Sequence, residues 1–231
     1  METIYLGLIQ SVHLLLSGDP ELYGIIVRSL LVSGTAVLLA ALCGISGGIG
    51  VALHAFPGRR LLINILNTLM GLPPVVVGLV VYVILSRSGP LGALGLLFTP
   101  TAMVIAQTIL ATPILAALTV SALLAVKPQV RDTAMSLGAT PRQAAWTVVR
   151  EARFGLMAAV IAGFGRVSAE VGAVMMVGGN IAGYTRVMTT AIVLDTAKGE
   201  FAQAIALGIV LIMVAFLVNL GLNLFQGRGA V

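Results

Sequence analysis

Arg166 and Glu170 stand four residues apart in the run "AGFGRVSAEVGAVMMV", which otherwise carries no charge. Ionisable groups inside an apolar, membrane-length run are costly and normally face a bundle interior or a water-filled cavity. On one continuous helix this spacing puts both on one face, where they can neutralise each other. The pair then either locks helices together or borders a translocation path or its gate. The other reactive residue types do not form catalytic constellations. Gly-x-x-x-x-Gly-Lys-Ser/Thr does not occur, so the loop that cradles nucleotide phosphates is missing. His13 and His54 are far apart, Asp19 and Glu21 mark a helix start, and Cys43 is alone, a small packing residue in a helix. Chemistry that breaks bonds must therefore belong to a partner, and no cofactor is expected in this chain.

The elements that hold these residues belong in a bilayer. The 231 residues are 59% hydrophobic and 9% charged, with a mean hydropathy of +1.10, whereas soluble domains are about 25% charged. The net charge of +5 rests on 13 basic residues, and aromatics are 5%. That is too few rings for base stacking, so nucleic acid is not the expected partner. Membrane lipid is. Five spans are expected, at about 26–53, 61–85, 102–126, 154–178 and 201–225, each near the roughly 20 apolar residues that cross a hydrocarbon core. Before them, residues 1–18 form an amphipathic helix with Ile4, Leu8, Val12 and Leu15 on one stripe, too short to cross and expected to lie in the interface. Residues 19–231 make up the transmembrane domain.

Lys and Arg orient the bundle. Arg59, Arg60, Lys127, Arg131, Arg142, Arg150, Arg153 and Arg228 fall at one set of ends; Arg28, Arg87, Arg186 and Lys198 fall at the other. The richer side is expected to be cytoplasmic, with the N-terminus outside and the C-terminus inside. The main loop on that side, 127–153, has its own pattern. Val130, Ala134 and Leu137 share a helical face, Gly138 can close that helix, and Thr140, Pro141 and Gln143 restart another with a capping box. It is either a docking knob or a solvated loop with ordinary caps.

Within that loop, "DTAMSLG" resembles the EAA motif of ABC importer permeases, Glu-Ala-Ala, three variable residues and Gly. Asp132 replaces the Glu and Thr133 the first Ala, Ala134 and Gly138 agree, and Arg150 and Glu151 replace a later Leu-Pro. "GLPPVVVG", 71–78, resembles the second-span signature of oxyanion permeases. "RVSAEVGAVMMVGGNIAGYTR", followed by "TTAIVLDTAKGEF", is most similar to the tungstate-type branch. The resemblance covers about residues 26–225. It implies an all-α, polytopic type I importer fold and a homodimer in the inner membrane. Arg131, Asp132, Thr133, Ala134, Leu137, Gly138 and Ala139 would couple it to two ATPase subunits that hold ATP and Mg. Pro73, Pro74, Arg166, Ser168 and Glu170 would border the path or gate. Asn180, Gly183, Thr185 and Arg186 would meet an extracytoplasmic binding protein that delivers tungstate; molybdate and sulfate are the alternatives within the family. From a different class, an ion-coupled secondary transporter would use Arg166 and Glu170 as its coupling pair, but no inverted repeat is evident. Gly34, Gly44, Gly47, Gly48, Gly163, Gly165 and Gly172 allow close helix approach, either within one subunit or at a homodimer seam.

Overall fold

In the computed structural model the described residues are Tyr5, Ile9 and 20–226, and among them every regular element is helical. Apart from Tyr5 and Ile9, the interfacial helix expected at 1–18 lies outside them, as does Arg228. Ten α-helices follow in order: α1 (Pro20–Leu53), α2 (Arg59–Met70), α3 (Pro74–Leu85), α4 (Pro100–Leu124), α5 (Pro128–Ser136), α6 (Pro141–Glu151), α7 (Arg153–Ser168), α8 (Gly172–Gly178), α9 (Met188–Lys198) and α10 (Phe201–Gln226).

Three helices are long and apolar enough to cross a membrane alone: α1, α4 and the 201–221 part of α10. The count reaches five when α2 with α3, bent by 96°, and α7 with α8, bent by 58°, are each taken as one span. The second and fourth expected spans are therefore each divided at a sharp bend rather than continuous. The first break follows from local sterics: Leu72 and Pro73 each precede a proline, which disfavours the helical region for both. Pro73 is extended, with φ −64° and ψ 121°, and Pro74 opens α3.

α4 is the centre of the bundle. Thr99 caps it by accepting from the Ala102 N–H at 3.3 Å, and Pro100 supplies the preset first turn. Met103 and Leu115 are fully buried on it. Against α4 lies α1, through Gly44 and Gly48. A Cβ on Gly44 would stand 2.7 Å from the Thr112 carbonyl oxygen, and one on Gly48 would stand 2.8 Å from that of Ala116. Gly163 meets Leu115 and Gly172 meets Val75 in the same way, whereas Gly34, Gly47 and Gly165 have nothing within 4 Å. The glycines thus divide between an internal seam and an open face. Cys43, expected as a packing residue, is exposed on α1, as are Leu31, Leu38, Leu39 and Leu42, a face suited to lipid or another subunit.

Two ends can be told apart. At one, Leu123, Val148, Val149 and Ala152 pack with Leu53 and Leu156, and Arg59 donates from Nε to Val51 O at 2.7 Å and from Nη2 to Ala52 O at 2.9 Å. Those are the last carbonyls of α1, where a cation is favoured. At the other end Arg28 donates to Gly183 O at 3.0 Å and Arg186 O at 3.2 Å, and Arg186 pairs with Glu21 at 3.5 Å.

Candidate functional site

The charged loop forms a rigid helix–turn–helix. α5 ends in a Schellman arrangement: Gly138, at φ 88°, donates to Met135 O at 3.0 Å, and Ala139 donates to Ala134 O at 3.0 Å. These bonds satisfy the orphan carbonyls of the last turn. Thr140 then caps α6 in a complete capping box with Gln143. Ala144, Val148 and Val149 anchor α6 in the bundle. With Arg150 and Glu151 where Leu-Pro stands in the EAA pattern, α6 runs to Glu151 and passes through Ala152, still helical, into α7. Arg131, Asp132 and Thr133 are exposed, while Val130 and Ala134 are half-buried. Leu137 leaves that stripe, because as the last residue before the turn it points outward and is 83% exposed. Trp146, 67% exposed, joins it in a large apolar display on this end. Trp146 is the only tryptophan and sits in a charged helix, yet no motif in the sequence points to it.

The two breaks meet. α3 packs on α8, where Gly78 faces the Cα of Ala173 and Gly172 faces Val75. Pro73 is exposed at this joint and Pro74 is half-buried. In the fourth span the expected ion pair is not formed, and this corrects the reading of Arg166 and Glu170 as partners on one helix face. α7 ends at Ser168, so the i,i+4 relation fails. Arg166 is exposed in the last turn of α7, a position that favours a cation. Glu170 is 6% exposed and turns the other way. Its carboxylate accepts the Ala173 N–H at 2.9 Å, one of the orphan donors at the start of α8. Its backbone oxygen accepts from Thr189 Oγ1 at 3.0 Å. Across the break, Gln107 of α4 donates from Nε2 to Val167 O at 3.3 Å. Gln107 and Thr189 come from other elements, and no spacing in the chain pointed to them.

The segment between Glu170 and Thr189 leaves the joint and returns to it, carrying the loop 179–187 at its far end. Asn180 (φ 51°) and Gly183 (φ 72°) take left-handed backbone there. Thr185 is 1% exposed and spends its hydroxyl inside the loop, donating to Gly178 O at 2.6 Å and accepting from Ile181 N at 2.9 Å. Asn180 donates to Thr190 O at 3.4 Å. Ile181 and Tyr184 stand outward, 44% and 49% exposed. Beside the loop lies a pocket of ≈ 240 Å³ lined by Glu21, Arg186, Asp195, Lys198 and Glu200, among others. Burial pushes the Asp195 carboxyl up from its ordinary value, against the opposing charge of Lys198.

Such a bundle defines a membrane-embedded transport subunit: broken spans meet at its middle, one end carries a capped apolar knob, and the other a rigid polar loop. Residues 37–228 match the family described as binding-protein-dependent transport system inner membrane component, and the chain belongs to that family. It is 45% identical to a probable anion ABC transporter permease protein of Haloferax volcanii over 86% of this chain and 88% of the relative. It is 44% identical to a tungstate uptake system permease protein of Peptoclostridium acidaminophilum, over 95% of this chain and 96% of the relative. Its fold is similar to a chain of a bacterial alginate ABC transporter crystallised in complex with a pentasaccharide-bound periplasmic protein. The TM-score is 0.73 at 18% identity, over 94% of this chain and 82% of that one.

Proposed function

We propose that this ABC importer permease carries tungstate inward as a homodimer around one central path, driven by two ATPase subunits and supplied by an extracytoplasmic binding protein. The observation that carries the reading is the capped α5–Gly138–α6 knob, held at the bundle end opposite the Glu21–Arg186 loop. A rigid, anchored apolar display at one end suits a lever that another protein pushes. The nearly full-length likeness to a tungstate permease supplies the cargo. The exposed residues around Leu137 and Trp146 are the proposed ATPase contact. Ile181, Gly183 and Tyr184 are the proposed outer contact, with Asn180, Thr185 and Arg186 holding their loop. The knob end faces the cytoplasm, since it carries the larger share of Lys and Arg. A lining sparse in cations suits a dianion that must leave as readily as it enters. Proteoliposomes holding the permease, its ATPase and the loaded binding protein should take up tungstate only with ATP, with molybdate competing and sulfate competing weakly. Uptake that follows a proton gradient without ATP would overturn the importer mechanism; dominant competition by sulfate would overturn the cargo.

A further inference from the structure

Beside the break between α7 and α8 lies a cavity of ≈ 10 Å³, lined in part by Ser33, Gln107, Ser168, Glu170 and Thr189. That volume is the lower bound of about 10 Å³ that one water molecule requires. Gln107 is 3% exposed and its Oε1 finds no partner among protein atoms. Its orientation is fixed, because only Nε2 can donate to the Val167 carbonyl oxygen. The Ser168 hydroxyl is buried and equally without a protein partner. Glu170 uses one carboxylate oxygen for the Ala173 N–H, and an ionised carboxylate has about four acceptor sites. An acceptor, a hydroxyl donor and a carboxylate thus surround a space the size of one small molecule.

We propose that this cavity is a binding site for a single internal water, which accepts from Ser168 and donates to Gln107 Oε1 and to the Glu170 carboxylate. Three hydrogen bonds is the usual complement of a buried water. The inventory disfavours a metal ion: hard cations gather about six oxygen ligands, more than these side chains supply. The Glu170 carboxylate disfavours a tetrahedral oxyanion here. The adjoining pocket of ≈ 20 Å³ shares Ser33 and Ser168 with this one and is otherwise bounded mainly by apolar residues, among them Leu30, Phe164, Val214 and Ala215. The water would join α4, the end of α7 and the start of α8, adding solvent bonds to the direct ones that Gln107, Glu170 and Thr189 already make across the joint. Gln107 and Ser168 are its positioning residues. The inference rests on the joint alone and stands whichever anion the subunit carries.

The test is a cryo-electron microscopy map of the assembled transporter in lipid nanodiscs, sharp enough to show internal waters. One solvent peak is expected within about 3.2 Å of both Gln107 Oε1 and Ser168 Oγ. It should be lost in Ser168→Val, whose methyl groups take the place of the hydroxyl, with the backbone of α7 and α8 unmoved. Melting temperatures in sodium chloride and choline chloride should be the same. A joint without that peak, in a map that shows other buried waters, overturns the proposal. So does a melting temperature that rises with sodium alone, which would make the occupant a cation. Should Ser168→Val fail to assemble, Ser168→Ala with the same two measurements decides.

Discussion

Glu170 shows how one side chain can hold a broken span together. Its carboxylate satisfies one of the free N–H groups in the first turn of α8, and its carbonyl ties the returning chain at Thr189. Glu170→Ala should lower stability by about 2 kcal/mol, since a buried donor is left without a partner; Glu170→Gln keeps an acceptor oxygen and should cost less. Thermal unfolding in nanodiscs compares the two. Arg166 is exposed and separate from Glu170; if it borders the path, Arg166→Gln should reduce uptake while size-exclusion profiles of the assembly stay the same, and normal uptake would remove that role. Asp195, on α9 outside the spanning segments, adds a pH dependence. Its carboxyl is raised chiefly by burial, with Lys198 and Arg186 opposing and Glu200 and Glu21 adding. The folded state therefore holds the proton more tightly than the unfolded one. The destabilisation is absent below the ordinary carboxyl value of 3.8, builds as pH rises from there through the raised value and persists at neutrality. Asp195→Asn should raise the melting temperature at pH 7, and the gain should shrink as the pH is lowered toward 4.

In the proposed coupling the central element is the α5–α6 knob, whose stiffness comes from two local devices. Gly138 closes α5 in left-handed backbone that a Cβ disfavours. Thr140 and Gln143 close the start of α6. Thr140→Ala should cost about 1 kcal/mol of local stability and increase proteolytic nicking between residues 136 and 142. If stiffness transmits motion, it should also lower uptake per ATP hydrolysed more than ATP hydrolysis itself. The broken second span is built by Leu72, Pro73 and Pro74, and its joint with the fourth depends on Gly78 and Gly172, where any side chain would strike Ala173 or Val75.

At the scale of the whole molecule, the bundle is organised by α4 and by the close seam it makes with α1. Gly44→Val should abolish folding or lower the melting temperature sharply, because its Cβ would press on the Thr112 carbonyl oxygen, while Gly47→Ala should be tolerated in open space. The two ends are separable by labelling. In a background where exposed Cys43 is replaced by Ala, Tyr184→Cys should react with an impermeant maleimide in intact cells, and Leu137→Cys only after permeabilisation. The reverse pattern would invert the topology and with it the proposed contacts.

Much of this was legible from residues alone, because the rules involved act within a few positions. Charge-poor runs of about 20 residues must be helices in a bilayer; consecutive prolines stop a helix; and Thr140 and Gln143 cap one. What only the packed chain decided depends on groups distant in sequence. The bend angles of 96° and 58° follow from how α3 and α8 press together. Arg166 and Glu170 parted because α7 stopped at Ser168, and the partners of Glu170 turned out to be an amide three residues on and a threonine nineteen residues away. The glycines divided between seam and open face only once α1 met α4. Local sterics and hydropathy choose the elements, whereas close contact between surfaces chooses which faces, breaks and charges meet.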